Sequence, residues 1–371
     1  MKSFSPVLLL TVILLTACGR SSQPIDPAGD GDTLALQYAT LFRVIRLPDG
    51  IRLVDVGDND HFALVQRGQT SIADIPDGYT VVEVPIRSTI CMTALQLSNF
   101  TALGAHDVVH GLTGTKNLYN PDILQRVADG RIVTIGMEGN FDVERILAAG
   151  PDVIFISPFK RGGYEAIKET GITLVPHLGY KELHPLGQAE WVKFIGMFIG
   201  REEEADSLFN RIVAEYTRTA RLAASVSERP TVLSGEMHGG NWYAVGGRSA
   251  LARIFADAGA DYVLKDNDET GGVNLQYEEL FASAANADYW RILNSFPGTF
   301  TYDALRASDP RNADFKAWRE RRVIYCNMRT TPYYETAPMQ PHILLKDLVS
   351  IFHPQLVEDD YRPTYYHLLT E

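Results

Sequence analysis

The spacing of apolar positions changes period along the chain, and the changes mark out three regions. Residues 34–80 read as strands. Tyr38–Arg46 and Ile51–Val56 flank the turn signal Pro48-Asp49-Gly50, and His61–Gln66 and Thr80–Val84 surround a second one at Pro76-Asp77-Gly78. From Val81 strand-like and helix-like runs alternate. VVEVPI precedes TALQLSNFTALGA, RIVTIG precedes FDVERILAAG, and VIFIS precedes YEAIKETGI and TLVPHL. Strands that alternate with short helices predict a parallel sheet. Residues 188–226 then switch to helical spacing. Trp191, Phe194, Ile195, Phe198 and Ile199 hold one face, and Gly200 marks a stop. A second helix follows, with Ala205, Leu208, Phe209, Ile212, Val213 and Tyr216 on its apolar face. Its first turn is acidic (Glu202, Glu203, Glu204) and its end is basic (Arg218, Arg221), which matches the helix dipole. After Pro230 the alternation restarts with TVLSGEM, SALARIFADAGA, LQYEELFASAANADYW, RVIYCN and PHILLKDLVSIFHP.

The expected fold is therefore α/β: two parallel-sheet lobes, residues 81–200 and 230–371, joined by a long backbone α-helix at 201–226. A small β-rich addition (34–80) precedes them. At ~1.5 Å per residue the backbone helix reaches nearly 40 Å, long enough to run along both lobes.

The first residues follow a different rule. MKSFSPVLLLTVILLTACGR places Lys2 before an apolar run from Val7 to Leu15 that ends in small residues and Cys18. That is an export signal, too short and wrongly flanked to stay as a transmembrane helix. Leu15-Thr16-Ala17-Cys18 resembles a bacterial lipobox, and the resemblance makes Cys18 the lipidated first residue of the mature protein. Residues 19–33, rich in Gly, Pro, Ser and Asp, read as a flexible tether.

Composition narrows the function. Of 371 residues 45% are hydrophobic and 22% charged, an ordinary soluble mixture. A net charge of -12 leaves no basic excess for phosphates, which argues against nucleic acid and against a polybasic membrane surface. Cys91 and Cys326 fall in different lobes and read as two buried thiols, although an exported chain permits pairing.

FDVERILAAGPDVIF, EWVKFIGMFIGREEEAD, LQYEELFASAANADYW and RVIYCN with LLKDLVSIFHP occur in an order that resembles the bacterial ABC-transporter substrate-binding lipoproteins with a helical backbone. Members of that family carry ferric siderophores, haem or cobalamin. The resemblance covers residue 80 to the C-terminus, and residues 34–80 fall outside it. It implies a monomeric, exported protein, lipid-anchored to the cell membrane and facing the periplasm, that works with an ABC permease and its ATPase and needs no cofactor. It also implies that Glu144 and Glu278 each dock an arginine pocket of the permease, one per lobe. Two separated carboxylates fix an orientation that one contact would not. The second motif departs from the family pattern: it ends Asn286-Ala287-Asp288 and carries Glu279 beside Glu278.

In a two-lobed α/β protein the ligand sits near the C-terminal ends of the strands. The loops expected there supply Arg87 and Ser88, then Phe159, Lys160 and Arg161, then Tyr180. From the second lobe they supply His238, Asn241, Trp242, Tyr243 and Arg329, with Tyr333-Tyr334 nearby. Arg87, Lys160, Arg161 and Arg329 suit an anionic ferric chelate. Phe159, Tyr180 and Trp242 suit a flat ligand.

The expected function is delivery of an iron chelate, haem or cobalamin to an importer. Rival readings are a cobalamin-specific carrier, a bare-metal (zinc or manganese) binder and an exported enzyme. His177, His184 and His238 lack ligand spacing on a helix, so no metal site is expected. GLTGTK at 111–116 is not a P-loop, and G-x-S-x-G and H-E-x-x-H are absent, so catalysis is not expected.

Overall fold

A computed structural model describes residues 32–69, 75–137, 139–158 and 163–370. The expectations for the signal segment, Cys18, most of the tether, and Phe159, Lys160 and Arg161 lie outside the described residues.

The N-terminal strands β1 (Asp32–Thr33), β2 (Phe42–Arg46), β3 (Arg52–Val56), β4 (Asp60–Gln66) and β5 (Thr80–Val84) form one sheet in that order. Its pairs are antiparallel except β4 with β5. VVEVPI was expected to open the first lobe. Instead Val81–Val84 close this sheet, and the lobe begins one strand later. The sheet is fused to that lobe through a shared core: the Phe42 ring meets Trp191 edge-on at 4.8 Å.

The first lobe contains β6 (Thr89–Cys91), α1 (Ala94–Ala102), β7 (Val109–Leu112), α2 (Pro121–Ala128) and β8 (Val133–Thr134). A hairpin, β9 (Gly136–Met137) and β10 (Asn140–Phe141), leads to α3 (Val143–Ala149). Then come β11 (Val153–Ile156), α4 (Glu165–Lys168), β12 (Thr173–Pro176) and α5 (Pro185–Ile199). The sheet order is β12-β11-β6-β7-β8, parallel throughout. Local chemistry sets the helix ends. Thr93 and Gln96 form a reciprocal capping box on α1, Asn120 caps α2 ahead of Pro121, and Asp142 accepts the Arg145 N–H at the start of α3. Gly150 ends α3 and Gly200 ends α5, both left-handed.

The backbone helix α6 (Glu202–Ala224) has 23 residues and spans about 34 Å. It packs against α5 on one side and, from the other lobe, α12 (Pro341–Phe352), and so ties the lobes together. At Gly196 a Cβ would come within 2.7 Å of the Ala205 methyl, so glycine is what lets α5 and α6 approach.

The second lobe has β13 (Thr231–Ser234), β14 (Glu236–His238), β15 (Asn241–Val245), α7 (Ala250–Asp257), β16 (Asp261–Tyr262), β17 (Gly272–Leu275) and α8 (Tyr277–Ala284). It continues with β18 (Tyr289–Asn294), α9 (Tyr302–Ser308), α10 (Lys316–Arg319), β19 (Val323–Asn327), α11 (Tyr333–Thr336), α12 and β20 (His367–Leu368). The main sheet runs β16-β13-β18-β19-β20, parallel but for β20. A second, antiparallel sheet, β14-β15-β17, lies over its own aromatic core. Cys91 and Cys326 are buried free thiols, and burial pushes Cys326 up to about 11.

Candidate ligand-binding cleft

Between the lobes lies a cleft of about 600 Å³. Its first-lobe wall comes from residues just beyond strand ends: Thr93, Ala94 and Leu95 after β6, Ser157 after β11, and Tyr180 after β12. Gln96 organises this wall. Its Oε1 accepts the Met92 N–H at 2.7 Å, while its Nε2 donates to Ser157 Oγ at 2.9 Å. Burial holds the Tyr180 phenol up at about 12, so it is protonated at neutral pH. Glu182 also borders the cleft, but its carboxylate is committed elsewhere. It accepts the N–H groups of Thr40 and Leu41 at 3.0 and 3.1 Å and the Trp191 Nε1–H at 3.0 Å.

The second-lobe wall is built by the start of α7 and by α11, with Leu251, Ile254 and Leu344 beneath and the phenols of Tyr333 and Tyr334 above. Tyr334 is 53% exposed, and partial desolvation raises its phenol. Among the described lining residues the only ionisable groups are Glu182 and the three tyrosines.

Glu335, on the same short helix as the two tyrosines, faces the other lobe. It is buried, and its carboxylate accepts the Tyr119 and Asn120 backbone N–H groups at 2.7 and 3.1 Å. The Tyr119 hydroxyl in turn donates to the Met328 carbonyl at 2.5 Å. Beneath α11, Asp347 of α12 accepts the N–H of Tyr365 at 2.6 Å and of Tyr366 at 3.1 Å and fixes the C-terminal segment.

Of the residues expected at the ligand, the structure places Tyr180 on the cleft wall, and Tyr243 on β15 close enough to Tyr334 to couple to it electrostatically. Arg87 and Ser88 are elsewhere. They precede β6, at the N-terminal ends of the strands and so opposite the cleft, where the Arg87 N–H bonds Asp152 at 2.6 Å and Ser88 Oγ meets His110 Nδ1 at 2.9 Å. Trp242 is fully buried, its ring centroid 5.3 Å from Trp290 and 5.4 Å from Phe315. His238 and Asn241 pair across the β14–β15 hairpin, outside the lining. Arg329 is exposed beside the Tyr119–Met328 bridge, also outside the lining. Glu144 and Glu278 are exposed in the first turns of α3 and α8. Glu278 comes within 3.8 Å of Arg311. Ser157, Tyr333 and Tyr334 had a usable signal, since each follows closely on a strand of β-formers. Thr93 and Leu95 had none once VVEVPI was read as the lobe's first strand.

Residues 90–330 match the family model described as periplasmic binding protein. The chain belongs to that family. An uncharacterized lipoprotein of Methanocaldococcus jannaschii is 27% identical over 294 residues, 75% of this chain and 68% of the relative. A periplasmic haem-binding protein from Pseudomonas aeruginosa shares the fold with a TM-score of 0.59 at 18% identity, covering 77% of this chain and 100% of that one. A TroA-like periplasmic binding protein, FepB, from Veillonella parvula gives 0.57 at 18%, covering 78% and 96%. The two-lobed fold of this family is thus the fold of the present chain, and the family is one of solute-binding proteins.

Proposed function

We propose that the protein is the substrate-binding component of an ABC importer, which captures an iron chelate, haem or cobalamin and hands it to a membrane permease. The observation that supports this reading is the interlobe cleft, walled by Tyr180, Tyr333 and Tyr334 over an aliphatic floor. Its volume of about 600 Å³ suits a sizeable small molecule. Export, lipidation at Cys18 and a periplasmic station follow from the signal segment. Docking through Glu144 and Glu278 belongs to the same proposal, and their exposed places at two helix starts are compatible with it.

Among the candidate ligands, haem is the better reading. The case for an anionic ferric chelate rests on four basic residues, of which Lys160 and Arg161 lie outside the described residues. Arg87 lies at the opposite end of the strands and Arg329 outside the lining, so the described wall offers aromatic and aliphatic surface rather than a cation cluster. A flat macrocycle buries such a surface well.

The test is titration of the purified chain, kept in detergent, with haem, a ferric hydroxamate and cobalamin, followed by the absorption band of each ligand. Submicromolar binding of haem without turnover is expected. Tighter binding of cobalamin or the hydroxamate would reassign the ligand. Failure of all three would overturn the carrier reading.

A further inference from the structure

Arg291 carries a charge into the interior of the second lobe. It lies on β18, only 5% exposed, and among the described residues no carboxylate comes within 4 Å of its guanidinium. Glu236, the acid that acts on it electrostatically, is held by Asn294 Nδ2 at 3.0 Å instead. The guanidinium is met by hydroxyls. Nε and Nη2 donate to the Tyr366 oxygen at 3.0 and 2.6 Å, and Nη1 reaches Ser234 Oγ at 3.5 Å. The ring of Tyr366 also lies 5.2 Å from the guanidinium carbon. Arginine stays protonated in proteins and has donors only, so it dictates the direction of every hydrogen bond around it.

That direction propagates. The Tyr366 oxygen accepts twice from Arg291, which uses its acceptor capacity and leaves its own hydrogen to place. The neighbour for that hydrogen is the Tyr333 oxygen, at 2.9 Å. With the opposite polarity three hydrogens would crowd one phenol oxygen, and the Tyr366 hydrogen would be buried without a partner, which costs more than a made bond gains. Tyr333 is therefore the acceptor in this pair, and its own hydrogen must point away from Tyr366. No other acceptor for it occurs among the described residues, and Tyr333 lines the cleft.

We infer that Tyr333 is a polarised hydrogen-bond donor aimed into the cleft, oriented by Arg291 through Tyr366, and that it selects a ligand presenting an anionic oxygen there, a carboxylate or another oxyanion. Each bond in the row pulls electron density toward the buried cation and strengthens the next as a donor. A wall with little fixed charge thus gains one directed electropositive point. Tyr366 never touches the ligand and is a positioning residue. Asp347 keeps it in place by accepting its backbone N–H. This inference rests on the reading of the cleft as a ligand site.

The experiment compares haem with its dimethyl ester, which has the same ring and iron but no free carboxylate. For the wild-type protein haem should bind about tenfold or more tighter, the effect of one hydrogen bond to a charged group. Tyr333→Phe and Tyr366→Phe should each remove that preference, and Tyr366→Phe, at a residue that does not touch the ligand, should leave the ester's affinity within a factor of about three. Equal losses for both probes, or an unchanged preference in both variants, would overturn the inference and leave the carrier function standing. Hydroxyl exchange in the ligand-free protein, read from deuterium isotope shifts on tyrosine Cζ carbons, is independent of any ligand. Fast exchange at Tyr333 with slow exchange at Tyr366 is expected, and the reverse order would overturn the polarity. Absence of binding by both probes to the wild type would remove the haem reading, and the exchange rates would then decide the inference alone.

Discussion

The Glu335 carboxylate accepts the backbone N–H of Tyr119 at 2.7 Å, from the opposite lobe and across 216 residues of chain. Its second bond, to the N–H of Asn120, places it at the start of α2, where the helix dipole favours a negative charge. Glu335→Ala would strand two N–H groups and should cost about 2–4 kcal/mol. Faster hydrogen exchange at the Tyr119 and Asn120 amides is expected, with a larger radius of gyration in solution scattering. Unchanged exchange at both amides would show that this contact does not hold the lobes.

Trp242 packs, its ring tilted, against Trp290 and Phe315, away from the cleft. Trp242→Ala should lower stability by about 3–5 kcal/mol in denaturant unfolding. Ligand affinity of the remaining folded protein should not change. A loss of affinity without a loss of stability would return Trp242 to the ligand site.

Among the described residues His177 has no hydrogen-bond partner on either ring nitrogen, and its ring lies 4.5 Å from that of Trp191. Burial lowers its pKa from 6.5 to about 3. Between those values the unfolded chain binds a proton that the folded one does not, so stability rises with pH across the window and is lost as pH falls from 6.5 toward 3. The slope contributed by this one group approaches about 1.4 kcal/mol per pH unit. His177→Leu should flatten the profile by that amount in urea unfolding measured at several pH values. Identical slopes for the two proteins would remove His177 as the cause.

For permease docking, Glu144→Ala combined with Glu278→Ala should abolish uptake while leaving ligand affinity unchanged. Normal transport by the double variant would end the docking claim. Glu278 is near Arg311, whereas Glu279 makes no ion pair among the described residues. Glu279→Ala tested alone therefore separates the two acids of α8.

The α/β alternation, the stop at Gly200 and the single long helix were legible in sequence because each has a periodic or stereochemical signature. The error at VVEVPI shows the limit. A strand of β-formers looks the same whether it closes the N-terminal sheet or opens the next one, and one displaced strand moved Arg87 and Ser88 to the far end of the strands. Trp242 was misplaced for a related reason. Gly239 and Gly240, both with positive φ, turn the β14–β15 hairpin, so the apparent loop returns as a strand and carries Trp242 inward. The Gly-Gly pair was the available signal. Glu335 and Arg291 had no such signal. Their partners, Tyr119 and Tyr366, are remote in sequence and belong to no shared pattern.

The buried carboxylate of Glu190 accepts the N–H groups of Gln37, Tyr38 and Ala39, at 3.0, 2.7 and 2.9 Å. A mechanical consequence follows. Tension applied to the chain ahead of Asp32 would peel away the two residues of β1 and then meet three hydrogen bonds gripped by a single side chain of α5. The force would pass into α5 before it reached Thr40 and Leu41, which Glu182 secures at the border of the cleft. A leash at the N-terminus would thus load α5, whose first turn lends Pro185 and Gln188 to the cleft, before it loads Thr40 and Leu41.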